Sequence, residues 1–183
     1  KDLEGYLFPD TYRLPRRATE AELVDAMVTR FREVFDAGRR ARAAELGLSV
    51  RDVVTLASLI EEESAVPEER PLVSAVFHNR LRIGMKLDCD PTVVYALKLA
   101  GRYTGRLLLR DLDFASPYNP YLNPGLPPGP ISNPGEAAID AALRPASAPF
   151  LYFVAQGDGR HHFSRTLGEH LDAVRRYRVL KKK

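Results

Sequence analysis

Apolar positions recur at helical spacing in two segments of the first third of the chain. After Thr19, apolar residues at 23, 27, 31 and 34 or 35 are three or four positions apart, which is the period of one helix face. Thr19 and Glu22 have the spacing of a capping box, and Ser49 and Asp52 repeat it before a second apolar segment. The pattern predicts a helix after residue 19 and a second helix after residue 49.

Two more helices are predicted in the middle of the chain. Pro67 is suited to the first turn of a helix over residues 67–84, which Gly84 would end. The sequence "DPTVVYALKLAG" predicts a short helix that closes at Gly101. We expect Asp90 to be the N-cap of that helix, since a carboxylate there can accept a free backbone N–H.

The last third of the chain combines helices with one hairpin. Asn133 and Glu136 predict the start of one helix, and Thr166 with Glu169 predicts the start of a final one. Between them, the β-rich segments "FLYFVA" and "RHHFS" flank the glycine turn "QGDG". We therefore expect an α+β fold: a mainly helical single domain, residues 1–183, with a small antiparallel sheet.

Two segments lack this periodicity. The N-terminal "LEGYLFPDTYRL" indicates a short strand or an extended arm that enters a turn. Residues 116–134 hold seven prolines, interspersed with aromatic and aliphatic side chains. Long irregular segments inside a compact domain are typically functional or disordered, and the apolar residues here favour an ordered, rigid binding loop.

Composition narrows the possible functions. The chain has 183 residues, 45% of them hydrophobic, which is enough for one domain with a core. Its 27 basic and 24 acidic residues nearly balance, so we expect no nucleic-acid surface. A single cysteine, Cys89, excludes an internal disulfide, and the four histidines lack the spacing of a zinc site. We predict neither a metal nor a cofactor, and no apolar run reaches the roughly 20 residues of a membrane span.

Three consecutive glutamates, residues 61–63, follow the apolar part of the second predicted helix. At about 100° per residue, Glu63 falls on the apolar face, whereas Glu61 and Glu62 point elsewhere. The apolar face consists of Leu56, Leu59 and Ile60. We expect Glu63 to be partly buried, and Glu61 and Glu62 to be solvated.

Partial burial would allow Glu63 to act as a general acid. Desolvation disfavours a charged carboxylate, so it raises the pKa of the side chain. A carboxylic acid that keeps its proton near neutral pH can protonate a glycosidic oxygen as a general acid. The alternative is a structural glutamate that pairs with a basic residue, for which Arg70 and Arg80 are candidates.

Five segments of the chain are also familiar as a set. They are "LEGYLFPDTY", "ASLIEEES", "VFHNRLRIGMKLDCDPTVVYAL", "SPYNPYLNPGLPPGPISNPGEAAIDAALRPA" and "LYFVAQGDGRHHF". Together they resemble the YceG-like family of endolytic murein transglycosylases, from about Leu3 to His170. The resemblance implies a bacterial enzyme that cuts nascent peptidoglycan strands between N-acetylmuramic acid and N-acetylglucosamine, leaves a 1,6-anhydro-muramic acid end, and terminates strand elongation.

The resemblance also implies where such a protein acts. Members of the family are held in the cytoplasmic membrane by one N-terminal helix, with the catalytic region outside the membrane and near peptidoglycan synthases. We therefore expect the membrane helix and a LysM-like region to precede the residues of this chain. The expected partners are peptidoglycan strands and a peptidoglycan synthase.

The family's signature E-x-E-[ST] falls on residues 61–64 and implies that Glu63 is the catalytic glutamate. A glycoside hydrolase normally needs two carboxyl groups around the scissile bond. A lytic transglycosylase can instead use one residue twice, because a hydroxyl of the same muramic acid is the nucleophile. Asp88 or Asp90 would be the second acid if the chain were a hydrolase, and a glycan-binding module without turnover is a third possibility.

The remaining matched segments imply a substrate groove. Its expected substrate-binding residues are Asn79, Arg80, Asp90, Tyr118, Asn119 and His161. Amides, hydroxyls and an aromatic face suit sugar recognition. Some of these have structural alternatives: Asp90 as a helix cap, Arg80 as the partner of an acid, and His161 bonded to a local carbonyl.

Overall fold

The structure is a computed structural model of the 183-residue chain and describes residues 3–180, with side chains to residue 177. Over these residues the chain forms seven α-helices and one two-stranded antiparallel sheet, which confirms the predicted α+β class. The elements are α1 (Glu20–Val34), α2 (Ala37–Glu45), α3 (Val50–Glu63), α4 (Arg70–Arg82), α5 (Asp90–Leu99), α6 (Glu136–Leu143), β1 (Tyr152–Ala155), β2 (His161–Ser164) and α7 (Leu167–Leu180). Short 3₁₀ turns span Pro67–Glu69 and Leu109–Asp113.

Helix α3 forms the centre of the core. Every residue from Val53 to Ile60 is buried, and the helix packs against α2, α4, α5 and α6. Its start is the predicted capping box: Ser49 Oγ accepts from the backbone of Asp52, whose carboxylate accepts from the backbone of Ser49. Because residues 53–60 are surrounded by protein, the polar side chains of α3 reach the surface only at its first and last turns.

The predicted helices around α3 are present, but two of their predicted N-terminal caps are wrong. Gly84 ends α4 with φ of +68°, the left-handed conformation that favours glycine. The N-cap of α5 is Cys89, so the prediction that Asp90 is the N-cap was wrong. Asn133 does not cap α6 either, since its Oδ1 accepts backbone N–H groups of Gly5 and Leu7 and fastens the N-terminal arm.

Helix α2 was not predicted, because the apolar residues of its sequence "AGRRARAAE" are all alanines. Asp36 caps its start by accepting from the backbone of Arg39. The guanidinium of Arg39 then bonds Asp140 at 2.9 Å and Glu136 at 2.6 Å, both on α6. Tertiary ion pairs therefore support a helix that has no large apolar side chains.

The proline-rich segment is ordered, as predicted, and it lies over α3. The backbone N–H of Ile131 donates to the buried Ser58 hydroxyl at 3.0 Å. Arg51 donates from two nitrogens to the carbonyl of Pro128, at 2.7 and 3.0 Å. The N-terminal arm is extended with turns, and residues 3–19 contain no strand.

The predicted hairpin is present and packs between α4 and α7. Tyr152 pairs with Ser164 and Ala155 pairs with His161 in antiparallel register. The ring of Phe153 meets Phe77 of α4 edge-to-face at 6.0 Å between centroids. None of the helices described between residues 3 and 180 combines the length and apolarity that a membrane crossing requires.

Candidate active site

A cleft of about 520 Å³ opens between the C-terminal turn of α3, residues 86–90, the hairpin and α7. Its polar lining includes Glu63, Arg80, Asp88, Asp90, Tyr121 and His161. Four of the predicted site residues thus meet here, although they are far apart in the sequence. The long α3 and α4 bring the first two, and the hairpin adds His161.

Glu63 is the last residue of α3 and lines this cleft. Burial raises the pKa of Glu63 from 4.5 to about 7, and the negative charges of Asp90 and Glu62 also raise it. The thiol of Cys89 hydrogen-bonds the carboxyl and acts in the opposite direction. No arginine or lysine in the described part of the chain forms an ion pair with Glu63. The carboxyl is therefore close to half protonated at neutral pH.

The two neighbouring glutamates have different surroundings. Glu61 bonds Arg70 at 2.9 Å with one oxygen and accepts the N–H of Gly135 at 3.1 Å with the other. The prediction that Glu61 is solvated was wrong, because the start of α6 and Arg70 cover it. Glu62 is exposed, as predicted.

Arg80 is buried, with 7% of its surface exposed, and has four hydrogen-bond acceptors around its Nε and Nη1 atoms. It bonds Asp88 at 3.0 Å and three backbone carbonyls, those of Lys86, Leu87 and Leu151. Its guanidinium also lies 5.1 Å from the ring centre of Tyr152. Arg80 thus ties residues 86–88 to the hairpin, and its acid partner is Asp88. This fixes the backbone of Asp88, whose φ is +50°.

Asp90 lies at the start of α5 and accepts a 2.6 Å hydrogen bond from the hydroxyl of Tyr121. Burial and the charge of Asp90 raise the pKa of Tyr121, so the phenol remains a donor. Tyr121 comes from the proline-rich segment, and the amine of Lys86 donates to its carbonyl at 2.8 Å. This segment therefore reaches the cleft through Tyr121.

Three predicted substrate-binding residues do not line the cleft. Asn79 donates from its amide to two carbonyls of residues 148–150, at 2.8 and 2.9 Å. Asn119 has no exposed surface and holds its own segment by donating to two carbonyls at 2.8 Å. Tyr118 packs against Tyr95, with 5.0 Å between ring centroids. The amides satisfy loop carbonyls, a role that side-chain type alone does not distinguish from sugar binding.

Several cleft residues were missed by the sequence reasoning. Tyr152 and His170 stack at 5.2 Å between centroids and form part of the wall. Leu167 and Leu171 are 53% and 46% exposed and lie one turn apart at the rim. Their spacing of four residues at the start of the final helix was the available signal, because exposed apolar pairs often mark a contact surface.

The fold and the cleft together define a mainly helical α+β domain with one glutamate that lacks a cationic partner and faces an open groove. Such a carboxyl can donate a proton to a bound ligand and then accept one. The relatives of the chain indicate which kind of ligand this is.

A profile of the YceG-like family matches residues 1–176. The chain is 42% identical over 176 residues to the endolytic murein transglycosylase of Bacillus subtilis (strain 168), covering 96% of this chain and 48% of the relative. It is 33% identical over 171 residues to the endolytic murein transglycosylase of Streptococcus pneumoniae serotype 2 (strain D39), covering 92% and 31%. The crystal structure of a YceG-like protein from Listeria monocytogenes matches with a TM-score of 0.83 and 41% identity, over 93% of this chain and 55% of that one.

The chain belongs to the YceG-like family. It spans about half the length of the Bacillus relative and about a third of the Streptococcus relative. The family confirms the resemblance that the five sequence segments indicated.

Proposed function

We propose that this chain is the catalytic domain, residues 1–183, of an endolytic lytic transglycosylase. It cleaves peptidoglycan strands between N-acetylmuramic acid and N-acetylglucosamine and forms 1,6-anhydro-muramic acid ends. The observation that carries the proposal is Glu63, whose carboxyl faces the cleft without a cationic partner and has a pKa raised to about 7. Family membership and the names of the two relatives support the substrate class.

The proposed reaction uses Glu63 twice. Protonated Glu63 donates its proton to the glycosidic oxygen, the bond from that oxygen to C1 of muramic acid breaks, and N-acetylglucosamine leaves with a free hydroxyl. The resulting Glu63 carboxylate then accepts the proton of the C6 hydroxyl as that oxygen bonds to C1. No water is consumed, and the nucleophile belongs to the substrate, so its effective concentration is high.

The groups around Glu63 suit this sequence of steps. The carboxylate of Asp90 lies in the same cleft, where it favours the protonated form of Glu63 and stabilises positive charge that develops at C1. Arg80 and His161 line the path of the strand, and Tyr121 holds Asp90. We assign Asn79, Tyr118 and Asn119 to the support of this groove from outside its lining.

We further propose that the domain acts on the outer side of the cytoplasmic membrane, held there by a membrane helix and close to a peptidoglycan synthase. There it would terminate the elongation of nascent strands. The support for this location is the substrate named for the relatives, murein, which lies outside that membrane.

The test is mass spectrometry of uncrosslinked glycan strands after incubation with the full-length protein, with wild type beside Glu63→Gln. We expect anhydro-ended fragments from the wild type alone. Glu62→Gln is the matched control, because it changes an exposed glutamate next to the site.

The products separate the competing reactions. Fragments with ordinary reducing ends would instead indicate a hydrolase with Asp90 or Asp88 as the second carboxyl. Intact strands with every protein would contradict catalysis and leave a glycan-binding module.

A further inference from the structure

Glu69 is a buried carboxylate whose hydrogen bonds all go to one residue of the cleft. It lies in the 3₁₀ turn that follows α3, with 7% of its surface exposed. Both carboxylate oxygens accept the backbone N–H of His161 at 3.1 Å, and Oε2 lies 2.8 Å from Nδ1 of the same residue. Within residues 3–177, His161 is its ion-pair partner. Burying a carboxylate that has no arginine or lysine partner costs free energy. We therefore expect the three contacts between Glu69 and His161 to serve the function of the site.

The contact determines which nitrogen of His161 carries the proton. An ionised carboxylate only accepts hydrogen bonds, so Nδ1 must be the donor. In the neutral ring the other nitrogen, Nε2, is then an acceptor. The ring is also held at its sides by Phe153 and Phe163, at 5.2 and 6.3 Å between centroids. Its position is therefore fixed by both hydrogen bonds and packing.

His161 lines the same cleft as Glu63. Its Nδ1 edge is occupied by Glu69, and the ring has one remaining polar atom to offer a ligand, Nε2. A glycan presents hydroxyl groups, which donate hydrogen bonds to such an acceptor. The chemistry of the cleft therefore matches the substrate class already proposed.

We propose that Glu69 is a positioning residue: it keeps His161 protonated at Nδ1, so that Nε2 accepts a hydrogen bond from a sugar hydroxyl of the bound strand. This inference rests on the proposed function for the identity of the ligand. It adds a residue that no sequence motif indicated, and it gives His161 a defined role.

Glu69→Gln tests the inference with almost no change in shape. The single oxygen of glutamine can accept the backbone N–H of His161, and its NH₂ group then faces Nδ1. The reverse placement leaves the oxygen facing Nδ1, and because both carboxylate oxygens of Glu69 lie 3.1 Å from the backbone nitrogen of His161, neither placement avoids a contact between NH₂ and that N–H. The substitution therefore removes the preference for a proton on Nδ1, and a part of the molecules should carry the proton on Nε2, where the ring is a donor.

The experiment has two readouts that need no turnover. Nitrogen NMR of the histidine-labelled protein at pH 8 should show Nδ1–H in the wild type and a substantial population of Nε2–H in Glu69→Gln. In a Glu63→Gln background, the affinity for uncrosslinked strands should fall on adding Glu69→Gln, by up to about tenfold, which is the loss of one hydrogen bond in a desolvated site.

Two further variants complete the design. His161→Asn keeps an N–H for Glu69 but lacks Nε2, so it should weaken binding by the same factor, with no further loss when Glu69→Gln is added. Glu62→Gln should alter neither the ring nor the affinity.

An Nε2–H ring in the wild type would overturn the inference. So would unchanged affinity in a variant whose ring has switched, or lost affinity in one whose ring has not. If Glu69→Gln does not fold, the wild-type spectrum and His161→Asn decide the question. Binding without cleavage would overturn only the proposed function, whereas no binding at all would overturn both.

Discussion

The last turn of α3 presents two carboxylates, two residues apart, to two different regions of the molecule. On the side of α6, Glu61 meets a guanidinium and a backbone N–H. On the side of the cleft, Glu63 meets the Cys89 thiol and the negative charge of Asp90. The same residue type thus joins two helices through an ion pair and a hydrogen bond in one place and is favoured as an acid in the other.

The difference shows that position on a helix matters less than what the rest of the fold brings to each face. Glu61 is satisfied because α6 begins beside it, so it joins two helices. Glu63 is left without a cation, while Arg80, a buried cation of the cleft lining, pairs with Asp88 and with backbone carbonyls instead. The partners of each glutamate therefore determine whether its role is structural or chemical. Each partner can be removed by a single substitution.

The largest expected effect is on turnover. Glu63→Gln should lower kcat by about a hundredfold to ten-thousandfold, which is the typical contribution of a general acid. Glu61→Gln should keep kcat within a few-fold, because Glu61 does not line the cleft. Kinetics of strand cleavage measure both. Equal losses in the two variants would mean that the two sides of the helix are not functionally distinct.

The second prediction concerns pH. If Glu63 must be protonated, kcat/KM falls about tenfold for each pH unit above its pKa of about 7. The measurement is the initial rate from pH 5 to pH 9 at substrate concentrations well below KM. A profile that stays flat to pH 9 would argue against Glu63 as the acid.

Substitutions of Glu63 and of Glu61 should change the free energy of unfolding in opposite directions. The folded-state pKa of Glu63, about 7, lies above 4.5, so the folded protein binds the extra proton and loses stability as pH rises from 4.5 through 7. Glu63→Gln should therefore be more stable than the wild type at pH 8.5, by up to about 3 kcal/mol and less where water enters the cleft. Near pH 4 the two proteins should be alike.

Glu61→Gln is the counterpart in the same assay. It removes the partner of a mostly buried guanidinium, so it should cost about 1–3 kcal/mol at pH 8.5. Urea unfolding at both pH values measures all three proteins. A stabilised Glu61→Gln would show that the ion pair does not hold α3 to Arg70.

The smallest expected effect comes from Cys89. Its thiol lowers the pKa of Glu63, so Cys89→Ala should move the alkaline limb of the rate profile upward by a fraction of a pH unit. Cys89→Ser, with a stronger donor, should move it downward. Shifts of the same sign in both variants would indicate a packing effect of this buried residue.

Local signals in the sequence were sufficient for the starts of α1 and α3 and for the face on which Glu63 lies. The capping boxes at Thr19 and Ser49 satisfy backbone donors within a few residues, so they can be recognised from the sequence alone. Helical period alone separated Glu63 from its neighbours. The hairpin was equally local, because its turn and strands are contiguous.

Features that depend on distant contacts could not be predicted. The cover over Glu61 requires α6, and the bond from Tyr121 to Asp90 requires the proline-rich segment to fold back. Asn79 and Asn119 have side chains suited to sugars, yet their amides are used by nearby carbonyls. Only the tertiary arrangement decides between these uses.

The most direct test of the account is the titration of Glu63 itself. Carbon NMR of the side-chain carboxyl, with Glu63→Gln to assign the signal, gives the pKa in the folded protein without reference to activity. We expect a midpoint near 7, coincident with the alkaline limb of the kcat/KM profile, which reports groups of the free enzyme. A midpoint near the ordinary glutamate value of about 4.5 would contradict it, because the carboxyl would then be ionised in the pH range where it is proposed to act as an acid.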